Sequence, residues 1–481
     1  MSSLDRKIQK ITVPTIEVDQ LQQMDTDDPN NPLYSSNRKN QQAGFLYPMV
    51  QINKYLFSEN EVTMFNLDLT GTIPRVSISI VTADGLFISK SYPKDGDPVS
   101  VFIRSRVDTF NPIRCDFEIE NVNSLPSKDN EGEIHMFSIE GSLRVPRLYA
   151  EDCTSFSDKT SYEALLELSR ELGLGFASNE LETSDKMTWL CPYDSYKKFM
   201  LDVAKASYKD DDSFFKVWID HYYVLNFVNV NSQFSDEFEL EAALDVLNQQ
   251  KDSFEGHELE PFDTRILLSN HPNLRGEGNY LAGYTLINNC GEVVQKNGYR
   301  RFVQFYDREL GSEPKDKYQN YFIEPLNTEG TDAKILLRGR TKEPEIFAQQ
   351  NKSKFVGIQT SNMHENYMHA LINNHQNEQE INKMSLQVKL NRCNFNLYRG
   401  QRVPVLILNM GGNVRQKMTQ DPDVEQKDNS LSMDKFLSGY YYISGMRIYW
   451  DDSNMQFSQE LTLSRREWPI PHQELENLAQ G

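Results

Sequence analysis

The stretch Met187–Asn231, MTWLCPYDSYKKFMLDVAKASYKDDDSFFKVWIDHYYVLNFVNVN, leaves a chain few ways to fold. Trp189 and Pro192 lead into Asp194 and Ser195, residue types that cap helices. Tyr196, Phe199, Met200 and Val203 then recur at i, i+3, i+4 and i+7, the spacing of one buried helical face. Lys209-Asp210-Asp211-Asp212-Ser213 ends that helix in a polar turn. Phe214–Ile219 and Tyr223–Val230 follow as aromatic and β-branched runs around a short turn at Asp220-His221, the pattern of a hairpin. Helix, strand, tight turn and strand make a small α/β module.

The module begins earlier, at a helix predicted over Ser161–Leu172. Thr160 and Glu163 have capping-box spacing, Gly173 suits the position after the helix, and Leu165, Leu168 and Leu172 share one face. This gives an α/β domain over residues 148–235. Upstream, residues 45–147 read as strands without a convincing helix. VTMFNLDLTG, PRVSISIVTADGLF, VSVFIRSRVD, RCDFEIENVN and HMFSIEGSLRV alternate or run β-branched, with Asp-Gly turns at 84–85 and 95–96 and a loop from Tyr92 to Pro98. Such a series predicts an antiparallel barrel or sandwich. Residues 1–44 are polar and rich in Asp, Asn and Gln, an arm with too little apolar surface to offset its ordering entropy.

Beyond the module the texture loosens. Phe238–Leu247 is predicted as a short helix, and Thr264–Ser269, Gly278–Ile287, Glu292–Val294, Arg301–Tyr306 and Lys334–Arg338 as strands, in a setting of many Asn, Gly and Asp residues. Met363–Asn382 is predicted as a polar helix. Four strands close the chain: Ser385–Leu390, Gln401–Leu408, Tyr440–Tyr449 and Phe457–Ser464, with a charged insertion at Val414–Lys435 and a tail after Trp468. The expected layout is an N-terminal arm (1–44), a first β-barrel (45–147), the α/β domain (148–235) and a discontinuous second barrel (236–268 with 380–468). An inserted domain (269–379) ends in the polar helix, and 469–481 is a tail. The fold class is α+β and mainly β.

The formal charge is −20, from 70 acidic and 50 basic residues. Gripping a nucleic acid from outside takes clustered Lys and Arg. Arg338, Arg340 and Lys342 are the nearest approach, and acids flank them, so no sequence-specific nucleic-acid binding is expected. Negative charge serves solubility, and it also lets DNA pass a surface without sticking. Cys115, Cys153, Cys191, Cys290 and Cys393 are scattered and odd in number, without a C-x-x-C, which implies synthesis in a reducing cytoplasm. The start MSSLDRKIQK lacks an apolar core of a signal peptide, and no apolar run reaches membrane-spanning length, about 18 residues.

Candidate chemistry is thin. His364-Glu365-Asn366-Tyr367-Met368-His369 looks like a zincin H-E-x-x-H with one residue too many. On a helix, i and i+5 stand about 140° apart, so the imidazoles do not converge on one metal, and His375 lies roughly 16 Å along the axis from His364. A polar surface helix is the reading. Asp210-Asp211-Asp212 lacks the Gly and distal Glu of a calcium loop and reads as a solvated turn. No G-x-S-x-G or P-loop is present, and Gly276-Glu277-Gly278 lacks the third glycine of a dinucleotide fingerprint. Cys191 beside Trp189 is expected in the core. No catalytic, cofactor-binding or metal residue is assigned. Met363, Tyr367 and Leu371 share a helix face that serves either to dock the helix on its own domain or to meet a partner or second copy.

The Met187–Asn231 module, with its tryptophan entry, aromatic helix, acidic turn and Asn-ended hairpin, resembles the middle domain of baseplate central hub proteins of contractile-tailed bacteriophages. That family is related to the spike proteins of type VI secretion systems. The order of segments over Phe45–Trp468 is similar to the family throughout. Asn394-Phe395-Asn396-Leu397, Gln401–Leu408 after Gly400, and the pair Tyr440–Tyr449 and Phe457–Ser464 resemble its closing barrel. The arm, the large insertion and Val414–Lys435 exceed the family pattern. The resemblance implies two tube-protein-like barrels per chain and a structural virion protein without enzymatic activity or cofactor. It implies a homotrimer joining a central spike to a hexameric tail tube beside baseplate wedge proteins, in the virion tail, after assembly in the host cytoplasm. The other readings are a tail-associated enzyme (a metallopeptidase using His364 and Glu365, or a cell-wall hydrolase) and a spike-type protein of a contractile secretion system.

Overall fold

The computed structural model describes residues 9–11; 48–234 apart from 54, 59, 84, 104–112, 130–131 and 212; 267–269; 280–288; 301–307; 318–323; 353–359; and 362–465 apart from 382–383, 391–392, 396, 409–433, 435–436 and 453–455. The chain is mainly β. Strand β1 (Gln9–Ile11) belongs to the N-terminal arm. β2 (Met49–Ile52), β3 (Tyr55–Leu56), β4 (Val62–Asp68), β5 (Arg75–Thr82), β6 (Pro98–Ile103), β7 (Ile113–Asp129) and β8 (Gly132–Leu143) follow. They lie in the spatial order β4-β5-β8-β7-β6-β2-β3. Alternation builds them. In β5, Val76, Ile78, Ile80 and Thr82 are buried while Arg75, Ser77, Ser79 and Val81 are not.

One expectation for this region needs correction. Asp-Gly at 84–85 does not turn one strand into the next, because Gly85–Lys90 is a short helix, α1. Its Phe87 is fully buried and meets the rings of Tyr55, Phe57 and Phe137 edge-on or tilted, at 5.0, 4.9 and 5.5 Å. Burying this aromatic in the hollow of a curled sheet contributes about 1.5–3 kcal/mol relative to leaving it exposed. Among the described residues no pairing joins β3 to β4, and these strands, curled around Phe87, are referred to below as the half-barrel.

The α/β module comprises β9 (Glu151–Lys159), α2 (Ser161–Glu171), β10 (Gly175–Ser178), β11 (Met187–Ser195), α3 (Tyr196–Ala206), β12 (Phe215–Ile219) and β13 (Val224–Asn229). Thr160 caps α2 in a full capping box with Glu163. Gly173, at φ +68°, ends it: Gly173 N–H donates to Arg170 O and Leu174 N–H to Ser169 O, a Schellman pair. Ser195 caps α3, and Tyr196, Phe199, Met200 and Val203 are buried as their spacing predicts. The hairpin turn is longer than Asp220-His221. The Asp220 side chain accepts from Tyr222 and Val224 N–H, and Tyr223 takes φ +58°. β9 and β10, which carry no strong alternation, escaped the sequence reading. β10 runs parallel to β13, and the sheet order is β1-β10-β13-β12, so part of the polar arm completes this sheet.

The remainder holds β14 (Leu267–Ser269), β15 (Tyr280–Asn288), β16 (Arg301–Asp307), β17 (Tyr318–Ile323), β18 (Ser353–Gln359), α4 (Tyr367–Ile381), β19 (Met384–Leu390), β20 (Arg402–Leu406), β21 (Gly439–Asp451) and β22 (Gln456–Arg465). β17-β16-β18 form a small separate sheet. β20-β14-β15-β19-β22-β21 close on themselves through β20–β21, giving a six-stranded barrel. β15, within the range read as an insertion, is one of its staves. Phe238–Leu247, Glu292–Val294, Lys334–Arg338 and all of Val414–Lys435 but Asp434 lie outside the described residues.

Candidate functional site at the seam between half-barrel and barrel

The residues that drew attention for chemistry have structural partners. His364 precedes α4 rather than lying on it, so the helical-spacing argument does not reach it. Its ring is buried, and Nε2 lies 2.9 Å from Ala206 O. Burial pulls its pKa below 6.5, so the ring is neutral at pH 7. His369 instead faces Asp211, at 3.5 Å. Among the described residues no cluster of His, Cys, Asp or Glu is arranged to hold a metal. Cys191 is buried with Sγ against Asp194 O, and burial raises its pKa, the setting of an inert thiol. Asp211 accepts from the Tyr208 hydroxyl in the acidic turn, and Asp212 lies outside the described residues.

The polar helix is not a surface helix, which corrects that expectation. Tyr367 and Leu371 pack against the main core, and Met368, Ala370, Ile372 and Ile381 are buried. α4 therefore docks on its own chain. Three asparagines do the polar part of that docking. Asn374 Nδ2 donates to the carbonyls of Ala204 (3.3 Å), Lys205 (2.9 Å) and Ser207 (2.9 Å), while its Oδ1 accepts from Phe215 N–H (3.2 Å). Asn373 donates to Asp211 O and Ser213 O, and Asn377 Nδ2 donates back to Asn373. The last carbonyls of α3, which a helix end leaves without partners, are thus capped from a segment some 170 positions away. The Asn-Asn pair of NNHQN was the available signal, and composition alone presents it as amides in contact with water.

The seam itself is one strand. The first half of β21 pairs with β20, Val405 opposite Gly439 to Arg402 opposite Tyr442, and closes the barrel. A bulge between Ile443 and Gly445 then bends the strand. Its second half pairs antiparallel with β4, Asp68 opposite Arg447 through Met64 opposite Asp451. Leu69 N–H extends the pairing to Met446 O at 2.8 Å. Half-barrel and barrel are consequently one continuous sheet. At the bulge the backbones come so close that a Cβ on Gly445 would sit 2.8 Å from Thr70 Cγ2.

The two faces of the seam differ. Inward, Phe65, Leu67, Met446, Ile448 and Trp450 are all 2% exposed or less and belong to one core running through both units. At about 1.5–3 kcal/mol for each fully buried side chain, this face holds the seam. Outward, charges alternate across the strands. Glu120 pairs with Arg75 at 2.5 Å, Arg75 stands opposite Asp68, and Asp68 pairs with Arg447 at 3.3 Å. Arg447 lies opposite Glu460, which lies opposite Lys389, whose ammonium sits over the Tyr449 ring. These exposed pairs each contribute at most about 1 kcal/mol. Their effect is to keep the face hydrated with its charge internally matched. With Glu140 beside Ser77 in the next row, acids slightly exceed bases. A groove of about 430 Å³ lies over β15, β19 and β22, with Gly283, Tyr284, Lys389, Arg447 and Glu460 among its lining.

Arg399 ties in the α/β module. Its guanidinium stacks 5.0 Å over Trp218 of β12, and Nη1 donates to Gly71 O in the β4–β5 turn. Ile219 N–H donates to Thr72 O in the same turn, at 2.8 Å. One side chain from the barrel therefore touches the module and the half-barrel together. Lys216, on the same face of β12, has its pKa pushed down to about 8 by burial, with Glu378 opposing that fall and Arg399 adding to it.

No protein-family model matches the sequence, and no curated protein matches it. Similar solved structures are a tail protein from Neisseria meningitidis MC58 (10% identity, TM-score 0.47, 89% of this chain and 99% of that one) and the prophage MuSo2 43 kDa tail protein from Shewanella oneidensis (8%, 0.49, 88% and 98%). A third is the E. coli c3393 protein, described as a type VI secretion system component similar to T4 bacteriophage tail proteins gp27 and gp5 (9%, 0.40, 88% and 80%).

Proposed function

We propose that the chain is a structural tail protein, a baseplate hub subunit that as a trimer joins a threefold spike to a sixfold tail tube. The observation that carries this reading is the shared strand β21. It places a half-barrel and a barrel side by side in one sheet, so three chains would set six such units in a ring. The sequence resemblance over Phe45–Trp468 supports it. A joint of this kind needs rigid units and large interfaces, and the continuous core and the Arg399 contacts supply rigidity within each chain. The hydrated, self-matched face of the seam suits the wall of a passage for DNA, which must neither grip phosphates nor expose apolar side chains. The spike, the tube and wedge proteins are the partners of this reading, and the virion tail is its location.

Native mass spectrometry of the purified chain, alone and with a candidate spike protein, tests it. The expected species has three times the 55.8 kDa chain mass. A chain that stays monomeric in both samples would overturn the reading. A basic lumen in an assembled ring would remove the passage role alone.

A further inference from the structure

Among the described residues nine large apolar side chains are exposed, and six of them fall on two surfaces. Apolar residues scattered singly over a surface need no explanation, whereas grouped ones mark contacts. The first surface is the far end of the half-barrel's outward face. Register places Val81 opposite Met136 and Met136 opposite Leu125. This row lies next to Ser79, Ser138 and Asn123, with Met64 opposite Ser79. Leu125 is 68% exposed, and Met64 and Met136 are exposed with it. On β4, β5, β8 and β7 these two rows hold no charge, unlike the rows of Arg75 and Glu140 nearer the seam. Apolar groups beside uncharged Ser and Asn have the composition of an interface core, from which charges are depleted.

The second surface is the β9–β11 ribbon. Its register shifts between Pro192 and Asp194, and Tyr193, the extra residue, takes φ +54°. That left-handed backbone is strained for a tyrosine, and the bulge leaves its side chain 76% exposed. Leu190 on the same strand and Tyr149, just before β9, are exposed as well. The two surfaces lie at different ends of the chain's folded body. β8 runs about 23 Å from Met136 to Leu143, and the module attaches at the Leu143 end. There Cys115 Sγ meets His221 O, and Ile219 N–H meets Thr72 O. Turns closed by Leu148 N–H on Val145 O and Ala150 N–H on Arg147 O then lead into the ribbon.

A cyclic ring joins each copy to the next through two different surfaces, one on each side of the contact. We propose that the Tyr193–Leu190 knob of one copy seats on the Leu125–Met136 face of the next, an inference that rests on the ring reading above. A contact of the flat face with its own twin would leave the knob uncovered, whereas the head-to-tail contact covers both surfaces in every copy. A net charge of −20 makes copies repel one another, so the attraction has to come from surface that is free of charge. Met64 and Met136 suit an aromatic partner, because the unbranched thioether adapts its shape and packs against rings.

The test mixes two full-length variants, Leu125→Glu and Tyr193→Glu, each of which disables one surface. Both residues are exposed, so each variant keeps the wild-type Tm; one that does not is replaced by Leu125→Ser or Tyr193→Ser. A charge at the centre of the contact weakens association by at least about 30-fold. Each variant alone therefore loses the multimer in native mass spectrometry, under the conditions in which the wild-type chain forms it. Mixed one to one, the intact face of the Tyr193→Glu chain meets the intact knob of the Leu125→Glu chain, while the reverse contact is disabled on both sides. The expected product is a pair of twice the 55.8 kDa chain mass holding one copy of each variant. A multimer that survives in either variant overturns the contact and leaves the hub reading standing, and so do two monomeric variants that form no mixed pair. A wild-type chain that is monomeric with and without a candidate spike protein overturns both.

Discussion

Lys216→Met should stabilise the protein at neutral pH. The Lys216 ammonium sits half-buried on β12, 5.6 Å from the Phe214 ring, with Arg399 nearby and Glu378 as the balancing acid. A fall in pKa from 10.5 to about 8 corresponds, at about 1.4 kcal/mol per pH unit, to about 3 kcal/mol. The side chain keeps some contact with water, so about 1–2 kcal/mol is the usable figure. The sign follows from proton binding. Below pH 8 the lysine is charged folded and unfolded, and the full cost of burying the charge is carried. Between pH 8 and 10.5 the folded chain has released the proton while the unfolded chain still holds it, so stability rises with pH. Met keeps an apolar stem beside Phe214 and removes the charge. For a 481-residue chain unfolding as one unit this is a rise in Tm of about 1–2 °C at pH 7, shrinking toward zero by about pH 10.5. Calorimetry of both proteins across that range decides it. A variant less stable at pH 7, or an offset that stays constant to pH 10.5, would refute the argument that Lys216 carries a burial cost.

Gly445→Ala should destabilise by about 1–3 kcal/mol, because its Cβ would press on Thr70 Cγ2, and Thr70→Ser, which removes that methyl, should restore part of the loss in a double-mutant cycle. Asn374→Ala leaves Phe215 N–H and the carbonyls of Lys205 and Ser207 without their side-chain partner. A loss of about 2–3 kcal/mol follows, with faster hydrogen exchange at Phe215, and unchanged exchange there would count against the capping role. His364, held neutral by burial, should cost stability as pH falls below 6.5, where the unfolded ring takes up a proton first. Denaturant titrations between pH 7.5 and 5 should show that slope flattened in His364→Gln.

The elements that sequence disclosed are those whose local pattern and tertiary setting agree. Thr160 with Glu163, Ser195 with its i, i+3, i+4, i+7 face, and the alternation of Arg75–Thr82 each state a period and a boundary within a dozen residues. What escaped depends on distant partners. Gly85–Lys90 is helical because Phe87 fills a hollow made by strands before and after it. Asn373, Asn374 and Asn377 read as solvated amides because the carbonyls they cap lie on another helix. The seam left a trace in the sequence only as Gly445 in an aromatic strand. Its charged face is a set of residues on seven strands that no window of sequence brings together.

The β4–β21 pairing also sets a timetable. Asp68 and Arg447 are separated by 379 positions. At a synthesis rate of about 5–20 residues per second, β4 waits about 20–75 s for its partner strand to be made. During that interval the half-barrel carries an unpaired edge beside its exposed Met64, and nascent chains on one messenger all present the same edge together. Premature termination anywhere before β21 makes the condition permanent. Fragments of this chain that end before β21 should therefore precipitate through their β4 edges more readily than the finished chain, and the yield of intact protein should depend on how quickly the 379 positions between Asp68 and Arg447 are translated.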